Sequence, residues 1–386
     1  MNILSPMREV MVVKILIGIG DAVVRALPTL LRQVLLIVLA MLVATVILII
    51  TGYEALAVYR GLARGITTDI GGTLRWATPL ILAGLAVSVA FRAGVWNIGV
   101  DGQLYLGAVA ATAVGLKLTF LPHPVSLLTA VLAGMAAGAL WALLAAFLRV
   151  QWGANEVVTT ILLNFVAISF TDFLVLGPMR GTGATGTTYS TDKLPEPFWL
   201  GRIMNASQAN VGLYVGIGLA ILLFYLLFRT TIGYEFKVAG TNPWFARYGG
   251  ISVRKVILLS MGISGAIAGL TGVVEILGVH RRFPGRFSAG LGFDGIVVAL
   301  LARNHPIGVI VAGLFFGALR NGAMNMERIT DVPRAMVEIV QAIIVLAVSA
   351  QFAFDLRRQR KSVEEEAEYA AEVEPEMETA QKEGEV

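Results

Sequence analysis

The amino-acid sequence predicts an all-α polytopic membrane protein, and its composition and hydropathy pattern carry that prediction. Of the 386 residues, 56% are hydrophobic and only 15% are charged, and the mean hydropathy is +0.77. A soluble domain carries about 25% charged residues, so this chain has too little charge to cover a surface that faces water. Its 42 glycines are typical of helices that pack closely in a membrane.

Ten apolar stretches approach the roughly 20 residues that a membrane-spanning helix needs. Several of these stretches are short and interrupted by glycine, which predicts broken helices beside complete ones. The predicted spans are residues 33–50, 77–91, 104–116, 125–148, 157–176, 211–228, 256–279, 292–301, 307–319 and 336–354.

Charge divides the chain into three segments. Residues 1–30 are predicted to be an amphipathic cytoplasmic segment, residues 31–355 the transmembrane domain, and residues 356–386 a charged, acidic, disordered cytoplasmic tail. The net charge of +4 hides this division, because residues 362–386 hold ten of the 26 acidic residues and one lysine. The rest of the chain then has 29 basic and 16 acidic residues. Basic cytoplasmic loops explain such an excess in a membrane protein, so no nucleic-acid partner is expected.

Basic clusters also orient the spans. Residues 229–255 contain five basic residues and one acidic residue, and residues 357–361 contain four basic residues. The positive-inside rule places both segments in the cytoplasm. With ten spans, both termini are then cytoplasmic, and two polar loops, residues 51–76 and 177–210, lie outside. Three arginines fall on the outer side and need a local reason such as an acidic partner: Arg281, Arg282 and Arg286.

Several classes of enzyme lack their signatures here. There is no Gly-Lys dipeptide for a phosphate-binding loop and no Gly-x-Ser-x-Gly elbow. The chain has no cysteine, and its three histidines show no metal-ligand spacing. We therefore expect neither an ATPase nor a hydrolase, and no metal or cofactor.

Residues 91–107 read FRAGVWNIGVDGQLYLG and interrupt an apolar region with polar groups. The side chains of interest are Trp96, Asn97, Asp101 and Gln103. A helix break at this point would present backbone and amide groups to a polar cavity, as transporters do. A turn whose glycines only allow close packing explains the same pattern, and spacing alone favours neither.

Residues 153–164 read GANEVVTTILLN. Asn155 and Glu156 precede an apolar run, where an acidic residue favours the start of a helix. Thr159 and Asn164 follow along the predicted helix. A pathway role and a role in helix capping and interhelical hydrogen bonding are equally consistent with this spacing.

Residues 233–251 read GYEFKVAGTNPWFARYGGI and lie in the longest predicted cytoplasmic loop. Asn242 and Pro243 can begin a short helix, and Gly249 and Gly250 can end it. Such an exposed helix can dock in a groove of another protein. An ordinary interfacial linker is the alternative.

Two matching tetrapeptides, Gly99-Val-Asp-Gly and Gly292-Phe-Asp-Gly, lie 193 residues apart and each precedes an apolar stretch. An odd number of spans between them would invert the second copy, which predicts an inverted repeat of about five spans per half. Asp172, Glu275 and Glu338 also lie in or near spans. A proton relay is one explanation for these acids, but pairing with cations or an interfacial position explains them better.

Together, these segments resemble the permease subunits of bacterial ATP-binding-cassette (ABC) importers of the branched-chain amino acid, simple sugar and nucleoside group. Residues 97–103 resemble the N-I-G-x-E/D-G-Q signature of that family, with Asp101 where Glu is frequent. Residues 153–164 resemble its G-x-N-E-V-x-x-T-I/L-M-L-N segment, with Leu163 retained as an apolar residue. Residues 240–251 resemble its G-x-N-x-x-A-R/A-Y-x-G-I coupling loop. The resemblance covers about residues 70–350 and is closest to nucleoside-type members.

The resemblance implies a multi-pass subunit of the bacterial plasma membrane that forms the pathway for a small polar solute, most closely a nucleoside. The implied partners are separate cytoplasmic ATPase subunits, a second and non-identical permease, an extracytoplasmic substrate-binding protein and membrane lipid. A simple-sugar permease and an ion-coupled secondary transporter are the alternatives. Eight residues are expected to serve the pathway: Trp96, Asn97, Asp101, Gln103, Asn155, Glu156, Thr159 and Asn164. Six are expected in the ATPase-coupling segment: Gly240, Asn242, Ala246, Arg247, Tyr248 and Gly250.

Overall fold

The computed structural model describes residues 38, 41–182, 189–288, 290–329, 338–339 and 342–343. The chain divides into two compact units, one made of residues Met1–Ala55 and Ala335–Val386 and the other of Leu56–Arg334. The predicted amphipathic segment and acidic tail lie outside the described residues, as does most of the predicted span 336–354. The described part of the first unit contains helix α1, Met41–Ile50, whose apolar side chains include the exposed Ile49 and Ile50.

Helices dominate the second unit, and the described residues form only isolated β-bridges in place of strands. The helices are α2 (Ala55–Thr68), α3 (Ile70–Arg92), α4 (Val100–Lys117), α5 (Val125–Trp152), α6 (Glu156–Leu176), α7 (Gly212–Arg229), α8 (Thr231–Thr241), α9 (Pro243–Tyr248), α10 (Val253–Val274), α11 (Leu291–Leu301) and α12 (Pro306–Ile329). A π-helical turn, Glu275–His280, continues α10. Six of the described helices are long and apolar enough to cross a membrane.

Nine of the ten predicted spans overlap described helices, the span 33–50 only over residues 41–50, which confirms the polytopic all-α class. The predicted polar loop 51–76 is wrong, because α2 and the first turns of α3 occupy it. The segment folds as an amphipathic helix, with Arg60 and Arg64 on an exposed face one turn apart and Val58 buried. The predicted loop 177–210 does connect α6 to α7, and it contains a single 3₁₀ turn, Glu196–Phe198, among its described residues.

Helices α3, α4 and α10 form the buried centre of the second unit, and α5 packs on α10. Glycine permits this packing, since a Cβ on Gly269 would lie 2.2 Å from the carbonyl oxygen of Gly134, and a Cβ on Gly272 would lie 2.0 Å from that of Leu104. Small residues at helix crossings are the means by which membrane helices approach closely. The outer faces of α5 and α6 expose large apolar side chains such as Leu140 and Phe165, as lipid contact requires.

The central helices α3 and α10 run antiparallel, because Ser264 of α10 bonds to Ala86, while Arg75, earlier in α3, meets Glu275 in the π-helical turn that follows α10. Helix α3 packs on α11 and α12, and α10 packs correspondingly on α4 and α5. This arrangement is the one that an inverted relation between α3–α5 and α10–α12 would produce. The repeat stays a prediction, which the packing favours.

Candidate functional site

The turn between α3 and α4 is held by buried amide side chains. Gly94 begins the reversal with φ +70°. Asn97 and Gln103 exchange two hydrogen bonds, with donor–acceptor distances of 3.0 and 2.9 Å, and Asn97 Nδ2 also donates to Ser264 Oγ at 2.8 Å. Both amides are almost fully buried. A turn between α3 and α4 therefore interrupts the apolar region here, and its amides bond to one another and to α10.

Helix α6 closes the other side of this turn. Asn164 Nδ2 donates to the Ile98 carbonyl at 2.9 Å, and Asn164 Oδ1 accepts from the Gly102 N–H at 2.8 Å. Thr160 Oγ1 accepts from the Ile98 N–H at 3.3 Å. The side chains of α6 thus satisfy backbone groups that the helix break leaves unpaired. Asn97, Gln103 and Asn164 therefore lie around one turn, and their predicted role in the pathway stays a prediction.

Asp101 joins the start of α4 to the start of α11. Its Oδ1 accepts from Ser288 Oγ at 2.6 Å and from the Gly292 N–H at 3.0 Å. Tyr105, one turn along α4, accepts from the Ser288 N–H through its hydroxyl at 3.2 Å. The two matching tetrapeptides are therefore in direct contact, at a carboxylate that lies where helix N-termini favour negative charge.

The other predicted pathway residues lie elsewhere. Trp96 is 51% exposed and packs on Phe91. Asn155 caps α6, Glu156 pairs with Arg149, and Thr159 donates to the Asn155 carbonyl. Asn155 and Glu156 line a cleft of about 530 Å³ whose other wall includes Pro243 and Arg247 of α9. The structure thus places Asn155 and Glu156 beside the predicted coupling segment.

Helix α9 has the boundaries that the sequence predicts. Asn242 Oδ1 accepts from the backbone N–H groups of Trp244 and Phe245, and Pro243 is the first helical residue. Gly250, with φ +79°, follows the end of the helix. The helix exposes three aromatic side chains and buries only Ala246: Trp244 is 70%, Phe245 63% and Tyr248 92% exposed. Its role in coupling stays a prediction.

Helix α8 connects α9 to the α3–α4 turn. A Cβ on Gly240 would lie 2.5 Å from the Arg92 carbonyl oxygen, and a Cβ on Gly94 would lie 2.8 Å from Gly240 Cα. The two backbones touch without intervening side chains. A displacement of α8 therefore reaches the turn that carries Asn97 directly.

A cavity that the sequence did not predict opens between α3, the π-helical turn, α12 and the α6–α7 loop. Its volume is about 960 Å³, and its lining includes Arg75, Trp76 and His280. The lining also contains four amide side chains, Asn205, Gln208, Asn321 and Asn325, and three further charged ones, Asp69, Arg202 and Arg282. The available signal was Arg75 beside an aromatic residue at the edge of an apolar run. We call this space the outer cavity, because the predicted orientation of the spans would place this end of α3 outside; that orientation stays a prediction.

Two acidic residues in the predicted spans form ion pairs with arginines. Arg75 Nη2 donates to Glu275 Oε2 at 3.0 Å, and Arg286 Nε donates to Asp172 Oδ2 at 3.3 Å. Tyr189 donates to Asp172 Oδ1 at 3.0 Å, and partial burial together with this hydrogen bond raises the pKa of the Tyr189 hydroxyl. The pairing predicted for Glu275 and Asp172 is confirmed. Asp172 is also the acidic partner expected for Arg286, one of the three arginines that the predicted orientation places on the outer side.

Comparison with known proteins decides the family. Residues 70–349 match the family described as the branched-chain amino acid transport system permease component. The chain belongs to this permease family. The match includes the α3–α4 turn, α9 and every residue that lines the outer cavity except Asp69, so all three features are parts of a permease.

Three relatives illustrate the similarity. The permease is 38% identical over 339 residues to the guanosine ABC transporter permease protein NupP of Bacillus subtilis, an alignment that covers 86% of this chain and 96% of that protein. It is 32% identical to the nucleoside ABC transporter permease protein NupB of Lactococcus lactis, covering 83% and 90%. It is 39% identical to the glucose ABC transporter permease protein TsgB13 of Haloferax volcanii, covering 70% and 73%. The chain is a multi-pass ABC transporter permease.

Proposed function

We propose that this permease forms the translocation pathway of an ATP-driven importer for a nucleoside. The observation that carries the proposal is its 38% identity to a guanosine permease across 96% of that protein's length. The polar lining of the outer cavity, which offers amide, guanidinium and imidazole groups, suits a neutral solute with many hydrogen-bond donors and acceptors.

Separate cytoplasmic subunits hydrolyse ATP and dock on α9 in this proposal. The three exposed aromatic side chains of α9 and its capped, rigid start support a docking role. A second, non-identical permease pairs with this chain, and an extracytoplasmic binding protein delivers the substrate. The α9 side of the bundle and both termini then face the cytoplasm of a bacterial plasma membrane, and the outer cavity faces outward.

Movement of the ATPases is transmitted through α8. A push on α9 displaces Gly240, which contacts the backbone of the α3–α4 turn at Arg92 and Gly94. That turn leads into Asp101, which bonds to the start of α11. ATP shifts the equilibrium between outward-open and inward-open states only to the extent that it binds them differently.

A simple sugar is the second candidate substrate, since the permease is 39% identical to a glucose permease over 280 residues. The ion-coupled alternative requires titratable acids that are free to exchange ions. Glu275 and Asp172 pair with arginines, and Asp101 accepts hydrogen bonds from Ser288 and Gly292, which speaks against that alternative.

The test is uptake of labelled guanosine by cells that express the permease with its partner ATPase, permease and binding-protein genes. We expect uptake to disappear on deletion of this permease gene or on inactivation of the ATPase. Unlabelled nucleosides should compete and glucose should not. If glucose competes and nucleosides do not, the substrate is a sugar and not a nucleoside. Uptake that persists without the ATPase but collapses with an uncoupler would overturn the ABC mechanism.

A further inference from the structure

Two segments that are far apart in the sequence form the walls of the cleft beside α9. One wall is the α5–α6 turn, and the other comprises α9 and the start of α10. These walls carry parts of two of the motifs on which the family resemblance rests, residues 153–164 and residues 240–251. The sequence assigns the first motif to the pathway, whereas the cleft joins it to the coupling segment. We call this space the α9 cleft.

The α5–α6 turn has a defined shape. Gly153 ends α5 with φ +69°, and Asn155 caps α6 by accepting hydrogen bonds from two backbone N–H groups in the first turn of that helix. Glu156 accepts a hydrogen bond from Arg149, so one anion and one cation of the α9 cleft neutralise each other. Asn155 therefore fixes the shape of this wall, and Glu156 sets its charge.

Two further arginines of the α9 cleft have no ion pair within the described part of the chain. They are Arg247 in α9 and Arg254 at the start of α10, and both are exposed. Arg247 packs on Trp244, with 5.1 Å between its Cζ and the ring centroid, and a stacked guanidinium keeps its N–H donors for another partner. Glu156 is the single acidic residue among the described ones that line the cleft, and Arg149 already engages it. The cleft therefore has an excess of positive charge.

We propose that the α9 cleft receives an acidic side chain of the partner ATPase, which pairs with Arg247 and Arg254. Guanidinium groups bind carboxylates through paired, charge-assisted hydrogen bonds. The exposed aromatic side chains of α9 form the apolar part of the dock, and the cleft adds a charged part that fixes the register of the ATPase on the helix. The inference rests on the proposed function and assigns Asn155 and Glu156 to coupling in place of the pathway.

The position of the cleft favours a protein carboxylate over a lipid phosphate. Pro243 and Arg247 belong to α9 and also line the cleft, so a protein docked on α9 adjoins the cleft directly. Residues 229–255 contain five basic residues and one acidic residue, so the whole segment attracts an acidic surface as it approaches. An anionic lipid headgroup offers similar oxygen atoms, and the experiment distinguishes it.

The test is rebinding of the purified ATPase, at increasing NaCl concentrations, to vesicles that contain this permease and its partner permease. Arg254→Gln removes one cation from the cleft. Its matched control, Lys255→Gln, removes one from the next exposed position, which is not among the residues that line the cleft. We expect Arg254→Gln to raise the Kd about tenfold at low salt, the scale of a lost charge-assisted hydrogen bond, and to reduce the dependence of the Kd on salt. Lys255→Gln should keep both quantities near their wild-type values.

Glu156→Gln separates the proposed contact from mere damage to the structure. It removes the acidic side chain of the cleft and releases Arg149, so an incoming carboxylate meets less repulsion and a third available arginine. The variant should bind the ATPase at least as tightly as the wild type does. Damage to the α5–α6 turn would weaken binding instead, and weaker binding by Glu156→Gln overturns the proposal.

The outcomes separate this inference from the proposed function. If the ATPase binds wild-type vesicles and the Kd is equal for Arg254→Gln and Lys255→Gln, the cleft has no such role and ATP-driven import still stands. An ATPase that does not bind wild-type vesicles refutes both. A difference between the two variants that occurs with phosphatidylglycerol in the vesicles and disappears in phosphatidylcholine alone assigns the cleft to lipid and overturns the proposal. A tenfold difference in both lipid compositions supports the carboxylate contact.

Discussion

Asp101 at the start of α4 accepts a 3.0 Å hydrogen bond from the backbone N–H of Gly292 at the start of α11. The two residues belong to the two matching tetrapeptides and lie 191 positions apart. Gly292 cannot carry a side chain there, because a Cβ would lie 2.4 Å from the Asp101 nitrogen. The junction therefore fixes the start of one broken helix against the start of the other.

Gly292→Ala should force these two helix starts apart. Inserting a methyl group into a packed contact costs about 1–3 kcal/mol, and we expect guanosine uptake to fall by about tenfold when the junction moves. Uptake per amount of membrane-inserted protein is the measurement. Gly218→Ala is the matched control, because a Cβ on Gly218 in α7 meets nothing within 4 Å. Equal uptake in both variants would refute a role for the junction.

Gly240→Ala should separate α8 from the α3–α4 turn, since its Cβ would lie 2.5 Å from the Arg92 carbonyl oxygen. We expect the transporter to assemble while substrate no longer stimulates its ATPase activity, because the connection between α9 and the turn is disturbed. Stimulation is measured on the purified complex. Gly249→Ala, whose Cβ would have ordinary 3.6 Å contacts, should behave like the wild type. Full stimulation in Gly240→Ala would exclude this route.

Ala246→Glu and Arg247→Glu test α9 as the ATPase dock. Ala246 is fully buried beneath the helix, so a bulky acid there should displace α9, while Arg247→Glu reverses the charge beside Trp244. Both changes should abolish co-purification of the ATPase and uptake. Tyr248→Phe, which keeps the ring of a side chain that is 92% exposed, should retain both. Unchanged uptake and ATPase stimulation in the two acidic variants would contradict the assignment.

Asn97→Ala should destabilise the permease, because it leaves the amide of Gln103 and the hydroxyl of Ser264 without their shared partner. Leaving buried polar groups unsatisfied costs about 1–3 kcal/mol for each group. Thermal unfolding of the detergent-solubilised protein measures the effect as a lower midpoint. Thr159→Ala removes only a bond to the Asn155 carbonyl within α6 and should leave the midpoint nearly unchanged. Equal midpoints would show that the amide cluster contributes little.

Local patterns predicted the local features of this permease. Asn242, Pro243 and Gly250 define α9 because capping and helix termination depend on neighbouring residues only. Hydropathy located the long helices, but it missed α2. The two arginines of α2, Arg60 and Arg64, lower the mean hydropathy of that segment, so it was predicted to be a polar loop. An amphipathic helix needs a test of period as well as of mean hydropathy.

Contacts between distant segments were beyond the sequence. Arg75 and Glu275 are 200 positions apart, and the sequence around one gives no sign that it contacts the other. The outer cavity, which lies between these distant segments, was therefore not predicted. The matching tetrapeptides indicated a relation between Asp101 and Asp294, but not that Gly292 would bond to Asp101. Asn155 and Asn164 belong to one motif, yet α6 carries them to different surroundings because nine residues span about 13 Å of helix.

The glycine contacts of α5 and α10 have a mechanical consequence. Where Gly134 and Gly269 meet, backbone rests on backbone, so neither of these two residues has a side chain that could change rotamer to let one helix slide along the other. We expect these helices to turn as a single stiff lever when the transporter changes state. Bending would then occur at the α3–α4 turn and at the start of α11. A small displacement at α9 would become a larger opening at the opposite end of the paired helices α5 and α10.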